Sequence, residues 1–257
     1  MALHTTFKQM PALKWTVVFS RAFRRKYGIG AIFGEFATFV QDWRTYRKLP
    51  RNESFTLSTG DLYPRLFDKT ATTGVDPVYF YQDAWLAKKL FVANPARHTD
   101  VASHLPTLGI LSQFVPIEMV DIRPPEVHLP ELSVTKGSIL ALPYADNSIA
   151  SLSSICVIEH VGLGRYGDPL DAFGSEKAAE ELVRVLATGG SLYLSVPIDS
   201  KNKVYFNAHR AFTRDYIMGL FGSLNLAEEQ YIYGNHLSGS YDPVRGFGTG
   251  LFHFQKI

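Results

Sequence analysis

From about residue 97 to the end of the chain, short apolar runs alternate with stretches of helical periodicity, and this alternation restricts the fold more than any other feature. Strands interleaved with helices return to a sheet in parallel, with the helices covering its faces. His98–Val101, Ile117–Val120, Ile149–Ser153 and Ser191–Val196 are the predicted strands. Glu176–Leu186 is the clearest intervening helix: Ala179, Leu182, Val183 and Leu186 share one face, and Thr188, Gly189 and Gly190 are expected to end it. A further helix is predicted over Thr213–Phe221. Residues 226–233 and 249–256 read as two closing strands across a loop containing Gly234, Gly239, Gly246 and Gly248. With 46% hydrophobic and 19% charged residues over 257 positions, the chain can bury a full-sized core, which excludes a disordered or fibrous protein.

The first 50 residues follow another pattern. Ile32, Phe33, Phe36, Phe39, Val40, Trp43 and Tyr46 recur at steps of three and four, the period of one helical face. Before them, Trp15, Val18, Phe19, Ala22 and Phe23 lie largely opposite Lys14, Arg21, Arg24 and Arg25, which predicts a basic amphipathic helix ending near Gly28 and Gly30. Residues 1–50 are thus expected to form a helical appendage. Residues 51–78, with Gly60, Pro64, Gly74 and Pro77, are expected to form an irregular connector, and 79–257 the main domain, opening with a helix over Tyr79–Leu90.

Charge divides the same way. Residues 1–50 hold nine Lys or Arg against Glu35 and Asp42, a balance of +7, whereas the remainder holds 17 basic and 22 acidic residues, a balance of −5. The appendage's charge therefore suits an anionic partner, be it a membrane surface, a nucleic acid, an acidic protein or the main domain itself, and its apolar face equally suits the main domain or a twin subunit in a homo-oligomer. The main domain has neither a basic stripe nor interleaved aromatic and basic residues, so no nucleic-acid partner is expected.

No stretch approaches the roughly 18 uncharged apolar residues of a membrane span. The run Trp15–Phe19 sits between Lys14 and Arg21 without a small-residue cleavage site, so no signal peptide is expected. A lone cysteine, Cys156, is compatible with a reducing compartment and reads as a small apolar packing residue. The expected location is the cytoplasm, with peripheral contact at the inner membrane surface through residues 1–50. Gly28, Gly30 and Gly34 imitate a dinucleotide fingerprint, but they follow a basic helix instead of a strand and the last spacing is wrong.

Two segments carry a resemblance. Leu142–Ile149 (LPYADNSI), followed by Ser153–Val161 (SSICVIEHV), is similar to the middle of class I S-adenosylmethionine-dependent methyltransferases, and Glu180–Leu192 (EELVRVLATGGSL) resembles their helix, turn and fifth strand. The resemblance covers roughly residues 79–257. It implies a Rossmann-like three-layer sandwich whose mostly parallel sheet has an antiparallel closing strand, with the helical appendage added at the N-terminus. Gly164–Asp171 (GRYGDPLD) and Phe206–Arg210 (FNAHR) are more particular, being similar to an uncharacterised bacterial branch of methyltransferase-like proteins associated with surface-polysaccharide gene clusters. That likeness implies a small-molecule or glycan acceptor.

In an open parallel sheet, ligands bind beyond the carboxyl ends of the strands, and the resemblance assigns residues to that edge. S-adenosylmethionine is the implied cofactor. After the first strand, Asp100 stands where the family has an acidic residue, and Ala102, Ser103 and His104 stand where it has a glycine-rich turn. Asp121 ends the second strand, where a carboxylate accepts hydrogen bonds from both ribose hydroxyls. Ser138 takes a position that is often acidic, with Ile139 beside it to pack on the adenine ring. Glu159 is placed at the pocket mouth.

Methyl transfer to a hydroxyl needs alignment and a base. His160 is the first candidate base and His209 the second, with Arg210 orienting an anionic acceptor and Asp168 binding its hydroxyls. Asp168 and Asp171 flank a proline and read more readily as turn and capping residues than as metal ligands, so no metal is assigned. These residues imply O-methylation of a sugar, glycan precursor or related metabolite. The rival, of another class, is a non-catalytic methyltransferase-like module acting with a partner or glycan enzyme, favoured by the substituted turn at Ala102–His104.

Overall fold

The computed structural model describes residues 28–50 and 52–257. The predicted basic helix around Trp15–Phe23 lies outside the described residues. The chain divides into two compact units that part between Gly74 and Val75. In the first, helix α1 spans Ile29–Tyr46, begun by Gly28 and burying Ile32. A single 3-10 turn follows at Thr59–Asp61, where the Ser58 hydroxyl accepts the Gly60 N–H. Among the described residues no helix is long and apolar enough to cross a membrane.

The second unit opens with α2, Pro77–Ala93. Its start is set by Asp76, whose carboxylate accepts the N–H groups of Val78 and Tyr79, and by Pro77, which lacks an N–H to satisfy. The sheet strands are β1 (His98–Val101), β2 (Ile117–Asp121), β3 (Leu132–Lys136), β4 (Ile149–Ile155), β5 (Leu186–Ile198), β8 (Asn225–Tyr233), β9 (His236–Ser238) and β10 (Gly248–Gln255). A separate small hairpin pairs β6 (Lys203–Tyr205) with β7 (His209–Ala211). The remaining helices are α3 (Leu105–Leu111), α4 (Gly174–Val185) and α5 (Arg214–Leu220). Sheet order is β3-β2-β1-β4-β5-β10-β8-β9. Strands β1 to β5 run parallel, and β10 lies antiparallel between β5 and β8.

Strand period explains the three layers. Leu192, Leu194, Val196 and Ile198 alternate along β5 and pack in one core with Leu182 and Val185 of α4 and Ile217 of α5. Tyr193 faces the other way, into a second core with Trp85, Leu86 and Leu90 of α2 and Leu108 and Leu111 of α3. Helices thus cover both sheet faces. This is the three-layer α/β architecture expected from the alternation, closed by an antiparallel strand.

The turn after α4 differs from expectation. Helix α4 ends at Val185, and Leu186 already begins β5. Gly189 (φ +78°) and Gly190 sit inside that strand at an irregularity in its pairing with β4. A side chain on Gly190 would meet the Ala187 carbonyl at 2.8 Å, so a close approach of backbones, and not a helix stop, needs glycine there.

Candidate active site

A cavity of about 320 Å³ opens at the carboxyl ends of β1, β2, β3 and β4. Strands β1 and β4 are neighbours from which the chain proceeds to opposite halves of the sheet, so the cavity lies where ligands bind in open α/β sheets. Val120, Ile139, Leu140 and Val157 supply apolar wall, while Asp121, Ser138, His160 and Asp168 supply polar groups.

The turn after β1 keeps a glycine-like shape without glycine. Ala102 has φ +56°, in the left-handed region, with its N–H donating to the Val120 carbonyl at 2.9 Å. Asp100 holds this turn from below. Its buried carboxylate accepts the Ser103 N–H (3.0 Å) and hydroxyl (2.6 Å) and the Ser153 hydroxyl, and Ser103 Oγ accepts the Ile155 N–H at 3.0 Å. Burial raises the Asp100 pKa to about 6 against the opposing pull of these hydrogen bonds. Asp100 does not line the cavity: it anchors the turn, whereas Ala102 and Ser103 do line it. His98 continues the network, its ring nitrogens each 2.8 Å from a hydroxyl, Ser151 and Ser153.

Left-handed backbone at a residue with a side chain costs roughly 1–2 kcal/mol, and glycine gives back part of the relief through its freer unfolded chain. Ala102→Gly is therefore expected to raise stability by up to about 1 kcal/mol in urea denaturation. A loss of that size would mean that the Ala102 methyl, which packs on the core, outweighs the strain.

Asp121 lines the cavity and uses one oxygen, Oδ1, to accept the Arg123 N–H at 2.6 Å. Ser138 and Ile139 lie beside it; Ser138 Oγ accepts the Leu140 N–H at 3.2 Å. Glu159 is placed differently from expectation. It is 1% exposed in the 3-10 turn Ile158–His160, does not line the cavity, and its Oε2 is buried without a hydrogen-bond partner. Burial raises its pKa to about 8. Glu159 Oε1 stands 3.7 Å from His160 Nε2, a contact between two neutral groups near pH 7.

His160 lines the cavity. Its Nδ1–H donates to the Ala208 carbonyl at 2.6 Å, which leaves the lone pair on Nε2. Burial lowers its pKa and the Arg165 guanidinium adds to that effect, against the raising influence of the Ala208 carbonyl. His209, on β7, lies 6.5 Å from His160 between ring centres and packs on Tyr205 and Phe247, with Nε2 buried and unpartnered. It does not line the cavity.

Arg210 and the two aspartates hold the loop that frames the site. Arg210 is buried, and its guanidinium donates to the carbonyls of Val161 (2.5 Å), Asp171 (3.0 Å) and Ala172 (3.3 Å) and to Ser175 Oγ (3.2 Å). It is not available to an anionic acceptor, contrary to expectation. Asp168 lines the cavity, but its oxygens accept the N–H groups of Gly162 (2.6 Å) and Tyr166 (3.3 Å). Asp171 accepts the Phe173 N–H and pairs with Lys177 at 2.6 Å, which lowers its pKa. Cys156 is more than packing: it has φ +54°, lines the cavity, and its thiol donates to Gln82 Oε1 at 3.2 Å.

Sequence reasoning gives no role to Tyr166, Arg165 or Arg123, yet Arg123 and Tyr166 line the cavity and Arg165 joins them over the Tyr166 ring. Arg123 and Arg165 place their guanidinium carbons 4.5 and 5.0 Å from the Tyr166 ring centre. The adjacency Arg165–Tyr166 was visible in the sequence, but nothing there brings Arg123 to them.

A family model described as a Caenorhabditis protein of unknown function, DUF268, matches residues 142–227. No curated protein matches the chain. Among solved structures, a protein assigned as a sarcosine dimethylglycine methyltransferase of Galdieria sulphuraria is 15% identical, with 72% of this chain and 91% of that one covered at a TM-score of 0.50. The N-methyltransferase NodS of Bradyrhizobium japonicum WM9 is 14% identical over 70% of this chain and 97% of its own, also at 0.50. The (4+2)-cyclase SpnF is 10% identical over 68% and 80%, at 0.51. One fold thus carries different chemistries among these neighbours, and at these identities the likeness establishes the Rossmann-like three-layer fold of the chain.

Proposed function

We propose that the chain is an S-adenosylmethionine-dependent methyltransferase that methylates a hydroxyl of a sugar, glycan precursor or related small metabolite. One observation carries the reading: a single cavity at the switch point of the sheet joins the Asp121 carboxylate at the end of β2 to a left-handed turn after β1. The residues present fit the cofactor. Among the described residues Asp121 Oδ2 makes no hydrogen bond and is open to accept from ribose hydroxyls, and Ile139 and Leu140 offer apolar surface to a flat base. Ala102 keeps a glycine-like conformation with the smallest of side chains, while Asp100 and Ser103 hold the turn.

When bound, the cofactor supplies a methyl group on a sulfonium, which needs an acceptor oxygen in line with it. His160 is placed to take the acceptor proton on Nε2, because the Ala208 carbonyl holds the other ring proton and burial keeps the imidazole neutral. His209 packs beside His160, its ring centre 6.5 Å away, and against Phe247.

Asp121→Ala tests the cofactor half. Loss of hydrogen bonds to a carboxylate is worth about 1.5–3 kcal/mol, or roughly a tenfold to 150-fold rise in the dissociation constant of S-adenosylhomocysteine. Asp121 is a partly exposed strand end, so the variant should fold. A folded variant with unchanged affinity would remove Asp121 from the site. The second reading, a non-catalytic module, draws on Ala102, Ser103 and His104 standing in place of glycines, and predicts no cofactor binding at all.

A further inference from the structure

We infer that the cavity mouth carries a site for a phosphate or diphosphate group, built from Arg123, Tyr166 and Arg165, and that it docks the anionic part of the acceptor. The inference rests on the proposed methyltransferase reading for its purpose, though not for its geometry. Arg123 and Arg165 come from distant segments, after β2 and after β4, yet both guanidinium carbons lie within 5.0 Å of the Tyr166 ring centre. Neither has a carboxylate within 4.0 Å among the described residues, and both are exposed. Two neighbouring carboxylates each accept backbone N–H groups. Asp121 accepts a backbone N–H of Arg123 itself, and Asp168 is held by the N–H groups of Gly162 and Tyr166.

Two like charges gathered on one aromatic ring repel each other, so the arrangement gains most from a shared anion. A phosphate or diphosphate has enough oxygens to engage two planar donor forks at once, where a single carboxylate is satisfied by one. Tyr166 orders both forks through cation–π contact. Arg165 is fixed further: one of its nitrogens donates to the Ala208 carbonyl at 3.2 Å, the same oxygen that accepts from His160. An anion held there lies next to the proposed base. The role expected of Arg210 thus passes to two exposed arginines.

The test is calorimetric titration of the full chain with inorganic pyrophosphate at low salt, with and without saturating S-adenosylhomocysteine, on wild type, Arg123→Gln and Arg165→Gln. Among the described residues the exposed Arg123 side chain makes no hydrogen bond or ion pair, so its variant guards against a folding artefact at Arg165. The expected result is pyrophosphate binding that survives S-adenosylhomocysteine and weakens at least tenfold in each variant, while S-adenosylhomocysteine affinity stays within threefold. Arginine-dependent pyrophosphate binding in a protein that fails to bind S-adenosylhomocysteine would uphold the anion site and sink only the cofactor reading. The inference is overturned by absent binding, by unchanged affinity in both variants, by competition with S-adenosylhomocysteine, or by equally tight binding of malonate.

Discussion

Replacing His160 with alanine is expected to lower methyl transfer to the true acceptor by about a hundredfold to ten-thousandfold, the usual cost of losing a positioned general base. The 2.6 Å hydrogen bond from Nδ1–H to the Ala208 carbonyl selects the tautomer with a free Nε2, and the ring lines the cavity. Burial then holds the ring neutral by lowering its pKa, with Arg165 and His209 pushing the same way. Turnover should accordingly fall only on the acid side of the ordinary histidine range. S-adenosylhomocysteine affinity should change less than threefold, which separates loss of the base from collapse of the site. Wild-type turnover in a folded His160→Ala protein would exclude His160 as the base and move attention to His209.

The second large effect is on stability and runs with pH. The Glu159 carboxyl is fully buried with an unpartnered oxygen, and its pKa rises from an ordinary 4.5 to about 8 through desolvation. Between those values the folded protein holds a proton that the unfolded chain has lost, so unfolding releases a proton and stability falls as pH rises. Over the whole window this amounts to a loss on the order of 5 kcal/mol.

Other buried groups complicate the acid half. Asp100, raised to about 6, acts in the same direction up to that pH, while His98, lowered to about 3, acts oppositely below 6.5. The lowered histidines His160, His209 and His253 act in the same sense as His98, and in the unfolded chain they are still half protonated at about 6.5, so their opposing effect extends to about 7.5. The comparison with Glu159→Gln, which keeps the histidines, isolates the Glu159 contribution. From about pH 6.5 to 8 wild type should lose about 2 kcal/mol relative to Glu159→Gln in chemical denaturation. The slope is the readout, because glutamine brings its own unpartnered group. Parallel slopes would show that Glu159 is ionised and solvated.

What was legible in the sequence follows from how local each signal is. Strands β2, β4, β5 and β10 are largely buried and their apolar residues announce them, whereas β1 is buried but polar at three of its four positions and β8 is buried only at its C-terminal end. Strand β3 was missed because it is an edge strand with only Leu132 buried, so its alternation is weak. Helix α3 is seven residues long, and Pro106 at its start reads locally as a turn. The β6–β7 hairpin has three residues per strand, the first wholly exposed, so nothing periodic marks it.

In the site, strand ends were legible because chain order fixes them, which brought Ala102, Ser103, Asp121, Ser138, Ile139 and His160 to one cavity. The functions of Glu159, Asp100 and Arg210 were not legible. Each depends on whether a polar group faces the cavity or the protein interior, and that is decided by partners far along the chain. The guanidinium of Arg210 is taken up by carbonyls 38 to 49 positions away, and Asp100 by a serine 53 positions on. The meeting of Arg123 with Tyr166 is equally non-local.

The central claim, that the cavity beyond β1, β2, β3 and β4 holds S-adenosylmethionine, is tested most directly by calorimetric titration of the wild-type full chain with S-adenosylmethionine and S-adenosylhomocysteine. The account predicts saturable one-to-one binding of both. Absence of heat and of competition for either compound, in a protein shown to be folded, would contradict it and leave a methyltransferase fold kept for another purpose.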